Sequence, residues 1–392
     1  MKGIKSLIGF ISLALCLLVF SSSAEEEMRE ITKECSITAD RFGAYRMWDG
    51  DIKEYWIAKK DYSVIEIEIP EGQAASGILI EWFLVFDEFD VTEYDKNGKI
   101  QNEYTSENYF KGLVSYLPLM KDTKKAEIKV YKEGKISEIH VYSDGYENPD
   151  IQKWENPAEK VDIMLLVAHQ DDEVLWFGGL MPYYSVVRDK NVQVVFMTTT
   201  GRFRIRESLN CIWKAGVKNI PEIIGYKDSY VYGLKAEELW GGRDNIDRSL
   251  VKRIRKYKPE VIVTHDIMGE YGHPQHKLIA SRIVSAVEAA ADPTLYSDSY
   301  KLYGAWEVKK VYLHLGDTDV IYMDWETPSD ALGGKTPLEV AEIAYLEHKS
   351  QLMSFSMDMG KEYDYTKFSL VHTTVGPDIL KNDFLENTDK VR

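Results

Sequence analysis

The run from Val161 to Gly179, VDIMLLVAHQDDEVLWFGG, constrains this 392-residue chain more than any other stretch. Its opening residues are too uniformly apolar for a half-exposed strand, which would alternate. They read as a parallel strand covered on both faces. A second run of the same kind, VIVTHDIMGEYGHPQH, lies at Val261 to His276. Each run ends in a cluster of His, Asp and Glu. Ligands of open α/β sheets sit in the crevice outside the carboxyl ends of the strands, so two such strands lying near each other would bring both clusters into one site.

Strands and helices alternate around these runs. Strand patterns fall at Val161–Ala168, Val192–Thr199, Val261–Thr264 and Lys310–Leu315, and helix patterns near Glu173–Val187, Arg204–Ala215, Asp247–Tyr257 and Pro274–Ala290. Such alternation predicts an α/β fold, a Rossmann-like three-layer sandwich with a mostly parallel sheet, over residues 158–392. Thr336-Pro337-Leu338-Glu339 predicts the start of a last helix, with Thr336 as N-cap, Pro337 at the first position and Glu339 closing a capping box.

A chain of this length favours two domains. From residue 35 to 145 the pattern is short strands with turn signals between them, including an Asn97-Gly98 hairpin, which predicts a small all-β sandwich. Asn148-Pro149 and Asn156-Pro157 mark the linker.

Residues 1–24 carry Lys2 and Lys5, an apolar run from Leu7 to Phe20 and the small residues Ser22, Ser23 and Ala24, the layout of a cleavable secretory signal peptide. The mature protein is therefore expected to be exported, either secreted or associated with the cell envelope. No later stretch is long and apolar enough to span a bilayer. A formal net charge of −16 argues against a nucleic-acid partner, whose phosphates would be repelled. Cys35 and Cys211, the two cysteines left after cleavage, cannot make a disulfide scaffold.

The polar clusters have metal-ligand character. His169 and Asp172 are close enough in sequence to grip one ion together. His273 and His276 flank Pro274 at a predicted helix start, so their imidazoles share one side of it. Two histidines and a carboxylate leave a position for water, as in a catalytic zinc site and unlike the closed four-ligand set of a structural one. Asp171, beside Asp172 and not needed as a ligand, is placed to take a proton.

At this point the chain resembles a known family. AHQDDE (Ala168–Glu173) resembles the A-H-P-D-D-E motif of the PIG-L/LmbE-like zinc-dependent N-acetylglucosaminyl deacetylases, and GHPQH (Gly272–His276) resembles their G-H-P-D-H. The intervening TTGRFRIRESLNCIWKAGV matches with Arg204, Glu207, Gly216 and Val217, and has Cys211 where Ala is usual. YKDS around Asp228, KPEVIVTH and the HKSQ of His348–Gln351 add to the resemblance. It implies that His169, Asp172 and His276 bind one Zn2+ and that Asp171 is the general base. It further implies that His273 stabilises the oxyanion or protonates the leaving amine, and that Arg204, Tyr271 and Asp228 face the substrate. Gln170 and Gln275 depart from the pattern. If the usual Asp at position 275 supports the acid histidine, Gln275 cannot supply its charge, and Asp266 or Glu270 would have to.

In the front domain, FGAYRMWDGDIKEYW (Phe42–Trp56) and ISEIHVYSDG resemble the discoidin-like, coagulation-factor type C family of galactose-binding sandwiches. That resemblance implies glycan binding, with Tyr45, Trp48 and Trp56 as stacking residues. The sequence as a whole points to an exported zinc-dependent N-deacetylase of an N-acetylated sugar or glycan. Zinc amidase activity on a non-acetyl amide and a catalytically silent glycan binder are the alternatives.

Overall fold

In a computed structural model of the chain, the residues described are 27–86, 88–108, 112–146, 148–231 and 234–389. The expected signal peptide lies outside them. The front domain is two antiparallel sheets face to face. One contains β1 (Ser36–Ala39), β3 (Tyr62–Glu68), β5 (Phe89–Tyr94), β6 (Ile100–Thr105) and β8 (Lys125–Tyr131), in the order β1-β3-β8-β5-β6. The other contains β2 (Trp56–Ile57), β4 (Ala75–Phe86), β7 (Gly112–Pro118) and β9 (Lys135–Ser143), in the order β2-β9-β4-β7. Period-two alternation builds the core between them: Ile65 and Ile67 point inward from β3, and Ile128 and Val130 from β8, against Ile78 and Ile80 of β4. Trp56 belongs to that core. It is 1% exposed and its indole N–H donates to the Arg41 carbonyl at 3.2 Å, so it cannot stack on an external sugar, and the expectation for this residue is corrected. Tyr45 is exposed, while Trp48 is half-buried against the same core.

The rear domain is one seven-stranded sheet in the order β12-β11-β10-β13-β14-β16-β15. Its strands are β10 (Ile163–Val167), β11 (Val192–Thr199), β12 (Glu222–Lys227), β13 (Val261–Thr264), β14 (Lys310–His314), β15 (Val320–Tyr322) and β16 (Lys367–Thr373). The five from β12 to β14 are mutually parallel, β16 runs antiparallel to β14, and the edge strand β15 runs antiparallel to β16 and so in the sense of the five. Helices cover both faces: α3 (Arg202–Lys214), α4 (Leu234–Leu239), α5 (Arg243–Tyr257), α6 (Pro274–Ala291), α7 (Ser297–Tyr303), α8 (Pro337–Tyr345) and α9 (Met357–Glu362), after the short α1 (Asp172–Leu175) and α2 (Leu180–Pro182). The uniformly apolar β10 is explained by its two faces. Ile163, Leu165 and Val167 enter one core, and Met164 and Leu166 enter the other. The capping box at Thr336 and Glu339 forms as the sequence predicts.

One predicted helix, Glu173–Val187, is not continuous. Gly178 adopts a φ of +51° between α1 and α2, and a Cβ built on Gly179 would lie 2.7 Å from Cβ of Pro337 in α8. The chain breaks there because the backbone must pass close under α8. A similar approach occurs at Gly360 of α9, where a Cβ would lie 2.0 Å from the Leu175 carbonyl oxygen. Gly360→Ala is expected to destabilise the protein by about 1–3 kcal/mol through overpacking. Urea unfolding of the two proteins checks this, and an unchanged midpoint would refute it.

The two domains meet on α3. Leu209 packs with Leu79, Leu113 and Val114 of the sandwich, with Ile205 beside them. Arg206 pairs with Glu81. Arg202 donates to the Ile52 carbonyl at 3.0 Å and lies 3.6 Å from the centre of the Phe83 ring.

Candidate metal and catalytic site

Strands β10 and β13 are parallel neighbours, with Leu166 opposite Thr264. Chain order reverses here: β11 follows β10 on one side and β13 lies on the other, which makes a topological switch point. His169 emerges just beyond β10. His276 lies in the first turn of α6, which His273 caps. The two sequence clusters therefore meet in one crevice.

Three donor atoms converge. Nδ1 of His169 lies 3.1 Å from Oδ2 of Asp172 and 3.1 Å from Nε2 of His276, and those two atoms are 3.3 Å apart. Ligand distances of about 2.0–2.2 Å in a tetrahedral site put neighbouring donors roughly 3.3 Å apart, so this triangle fits three vertices around one small divalent ion. The hydrogen bonds leave the needed lone pairs free. The Gln275 amide is oriented by its Nε2 donation to the Lys227 carbonyl at 2.8 Å, so its Oε1 accepts from Nε2–H of His169 at 2.8 Å. Asp228 lies 3.3 Å from the same nitrogen. That tautomer presents Nδ1 of His169 as a bare donor. Glu270 does the same for His276, accepting from its Nδ1–H at 2.6 Å. His265 is also close to Asp172, but its Nε2 accepts the backbone N–H of Ala168 at 2.9 Å and has no lone pair to offer. Burial works against charge on Asp172, yet His276, His169 and His265 hold its carboxyl well below the usual range. Burial likewise opposes the His169 imidazolium, but Asp172 and Asp228 outweigh it and carry the imidazole up to about 10. The pocket attracts positive charge, as a protein cage for a divalent cation must.

Asp171 stands beside the triangle. It is the N-cap of α1, yet its carboxylate makes no capping bond, and its φ of +140° turns the side chain away from the helix. Oδ1 instead accepts from Nη2 of Arg204 at 2.9 Å. Burial first, then the charge of Asp172, pushes its carboxyl up to about 7 against the pull of Arg204. Arg204 also donates to the Gln170 carbonyl at 2.9 Å and approaches Asp228 at 3.6 Å. It makes no pair with Glu207, which instead accepts from Ser350.

His273 uses Nδ1 to accept the backbone N–H of Gln275 at 3.3 Å. Burial, with His169 and His276 beside it, pushes its imidazole down to about 3. Glu270, one of the two carboxylates expected to stand in at the acid histidine, is bonded to His276 instead, and that expectation is corrected. The Gln275 side chain supports the ligand His169, and Glu270 supports His276. Gln275→Ala is expected to weaken metal affinity by about 10–100-fold, the usual cost of losing such a support, with little change in His273. Competition against a chelating dye measures this, and unchanged affinity would remove Gln275 from the site.

The cleft above these groups encloses about 170 Å³ and is walled by Leu175, Trp176, Tyr271, Gln351 and Phe355. The Tyr271 ring lies 5.6 Å from Trp176 and 5.7 Å from His273. Trp176, not singled out in the sequence, donates its indole N–H to Oδ1 of Asp172 at 2.8 Å. Its position four residues after Asp172, one turn away at the start of a helix, is the signal that could have found it.

Residues 164–287 match the family model described as PIG-L: GlcNAc-PI de-N-acetylase. The chain is 31% identical over 206 residues to a 1D-myo-inositol 2-acetamido-2-deoxy-alpha-D-glucopyranoside deacetylase of Geodermatophilus obscurus, an alignment covering 45% of this chain and 68% of that one. It is 29% identical over 187 residues to an enzyme of the same description from Frankia casuarinae, covering 40% of this chain and 59% of that one. Among solved structures, the N,N'-diacetylchitobiose deacetylase of Pyrococcus horikoshii aligns with a TM-score of 0.38 and 20% identity, over 54% of this chain and 77% of that one. A family 32 carbohydrate-binding module of Clostridium perfringens, in complex with galactose, aligns with a TM-score of 0.25 and 17% identity, over 29% of this chain and 98% of that module.

Proposed function

This chain belongs to the GlcNAc-PI de-N-acetylase (PIG-L) family, and on that premise we propose that it is an exported, metal-dependent N-deacetylase. Its substrate would be an N-acetylglucosamine-containing glycoside or glycan, and its products acetate and a free amine. The observation that carries the reading is the triangle of His169 Nδ1, Asp172 Oδ2 and His276 Nε2 with Asp171 beside it. Zn2+ suits two imidazoles and one carboxylate, and when bound it supplies Lewis acidity toward an amide carbonyl and a water.

The chain's own residues supply the proton transfers. Asp171, held through one oxygen by Arg204, accepts a proton from the attacking water as general base. With Nδ1 of His273 committed to the α6 backbone, its remaining proton sits on Nε2. The neutral ring then donates to the carbonyl oxygen as charge develops there, and a helix N-terminus favours that neutral state. Asp171, protonated by the first step, passes its proton to the leaving amine. Trp176, Tyr271 and Phe355 wall a small cleft that suits an acetyl group better than a long acyl chain. The relatives' named substrate is a 2-acetamido-2-deoxyglucoside, which supports the sugar class and leaves the aglycone of this enzyme open. In the sandwich, exposed Tyr45 with Trp48 beside it is the proposed glycan contact.

Acetate release from free N-acetylglucosamine, chitin oligomers and peptidoglycan fragments, with and without chelator, tests the function. Chelator-sensitive acetate from any of them is expected. Its absence from zinc-loaded protein, with release of a longer acyl group instead, would favour the amidase alternative. Export rests on residues 1–24 alone and predicts a mature N-terminus at Glu25, which N-terminal sequencing of the natural protein would read.

A further inference from the structure

We propose that Glu173 and His348 are positioning residues that hold the proposed base Asp171 in its working conformation, through the Asp171 backbone rather than its side chain. An Asp at a helix N-cap ordinarily uses its carboxylate on the exposed N–H groups of the first turn. Asp171 does not, because its backbone is rotated to a φ of +140°, a conformation that is strained for a non-glycine residue. Something must hold it there. Its own N–H points inward and donates to Oε2 of Glu173 at 2.8 Å. This resembles the backward half of a capping box, supplied one position earlier in the helix than usual. Oε1 of the same Glu173 accepts from Nε2 of His348 at 2.7 Å. Glu173 and His348 are both fully buried, so no water competes for these bonds.

His348 comes from the far end of the domain, just after α8, which packs on both α1 and α3. The segment that carries it is tied down again two residues later. Ser350 donates to Glu207 of α3 through its N–H at 2.9 Å and through its hydroxyl at 2.6 Å, and Gln351 then reaches the cleft wall. The sequence shows His348–Gln351 as an isolated short motif. The structure gives it one purpose: it locks the residue behind the base from below and lines the cleft from the side. Without His348, Glu173 loses its imidazole donor and keeps only the weak thiol donor of Cys211 beside it, so its carboxylate is freer to turn and release the Asp171 N–H. The base would then relax toward an ordinary N-cap and turn its carboxylate back to the helix.

The rate arm of the test rests on the deacetylase reading, whereas the exchange arm does not. His348→Ala is expected to lower kcat by about 10–100-fold, with KM and bound zinc within about twofold of wild type. His348→Gln, whose amide can still donate to Glu173, should recover most of that loss. Hydrogen exchange of metal-loaded protein, read on peptides spanning residues 168–176, should quicken about tenfold in His348→Ala while peptides of β11 stay unchanged. Equal kcat in wild type and His348→Ala overturns the proposal, as does a fall in kcat that tracks lost zinc or unfolded protein. Should His348→Ala not fold, Glu173→Gln provides the same comparison: it keeps an acceptor for Asp171 and loses the charge. If the wild type hydrolyses no acetamide, the deacetylase reading fails by itself, and unchanged exchange in His348→Ala would then be what overturns the positioning role.

Discussion

Asp171→Asn is expected to lower kcat by about 10²–10⁴-fold while the protein retains its metal, the range associated with loss of a positioned general base. An amide cannot accept the proton of water, yet it is nearly isosteric, and its oxygen can still take the hydrogen bond from Arg204. His169, Asp172 and His276 are untouched, so zinc stoichiometry and KM should hold near wild type. Retained turnover would remove Asp171 from the chemistry. Lost zinc would make it a ligand. The same variant predicts a pH effect in chelator-treated protein. A carboxyl raised from 3.8 to about 7 on folding costs stability once pH rises through that interval. Chelator-treated Asp171→Asn should therefore be the more stable protein at pH 8, with the gap closing as pH falls toward 4. Thermal unfolding at the two pH values reads the difference.

His276→Ala is expected to abolish both metal binding and activity, and to cost about 3–5 kcal/mol of stability. The stability loss has its own cause. Glu270, wholly buried, accepts from His276 and also faces His265 and His314. Deleting the imidazole strands part of that carboxylate's partnership in a place water does not reach, and removes one vertex of a three-ligand site. Zinc content by elemental analysis and the urea midpoint measure the two effects separately. A variant that kept zinc at wild-type stoichiometry would contradict the ligand assignment.

Much of this architecture is legible in the sequence because it depends on local pattern. The uninterrupted apolar runs ending at Val167 and Thr264 announce buried parallel strands, and the polar clusters after them announce where chemistry collects. Less legible is whatever depends on which atom a side chain turns toward. Gln275 reads as a neighbour of His273 because only Pro274 separates them on the chain, yet the acceptor at Lys227 turns its amide to His169. Trp56 reads as an exposed aromatic of a loop motif, yet its pairing onto β9 places it inside the sandwich. The broken helix after α1 escapes periodicity because its cause, the passage of α8 over Gly179, lies far away in sequence. Strands β12 and β15 lie at the two edges of the sheet, and β16 mixes Ser369 and His372 among its apolar residues, so none of the three shows a buried-strand run.

Helix α3 turns Arg202, Ile205, Arg206 and Leu209 toward the sandwich and Arg204 toward Asp171. Its opposite sides serve two domains that look from sequence like independently inherited parts. A front module swapped in from another protein would have to reproduce the Glu81 carboxylate and the apolar seat for Leu209, or α3 would settle differently and carry Arg204 with it. Recombination at the Asn148–Pro157 linker is thus constrained by the enzyme's rate as well as by solubility.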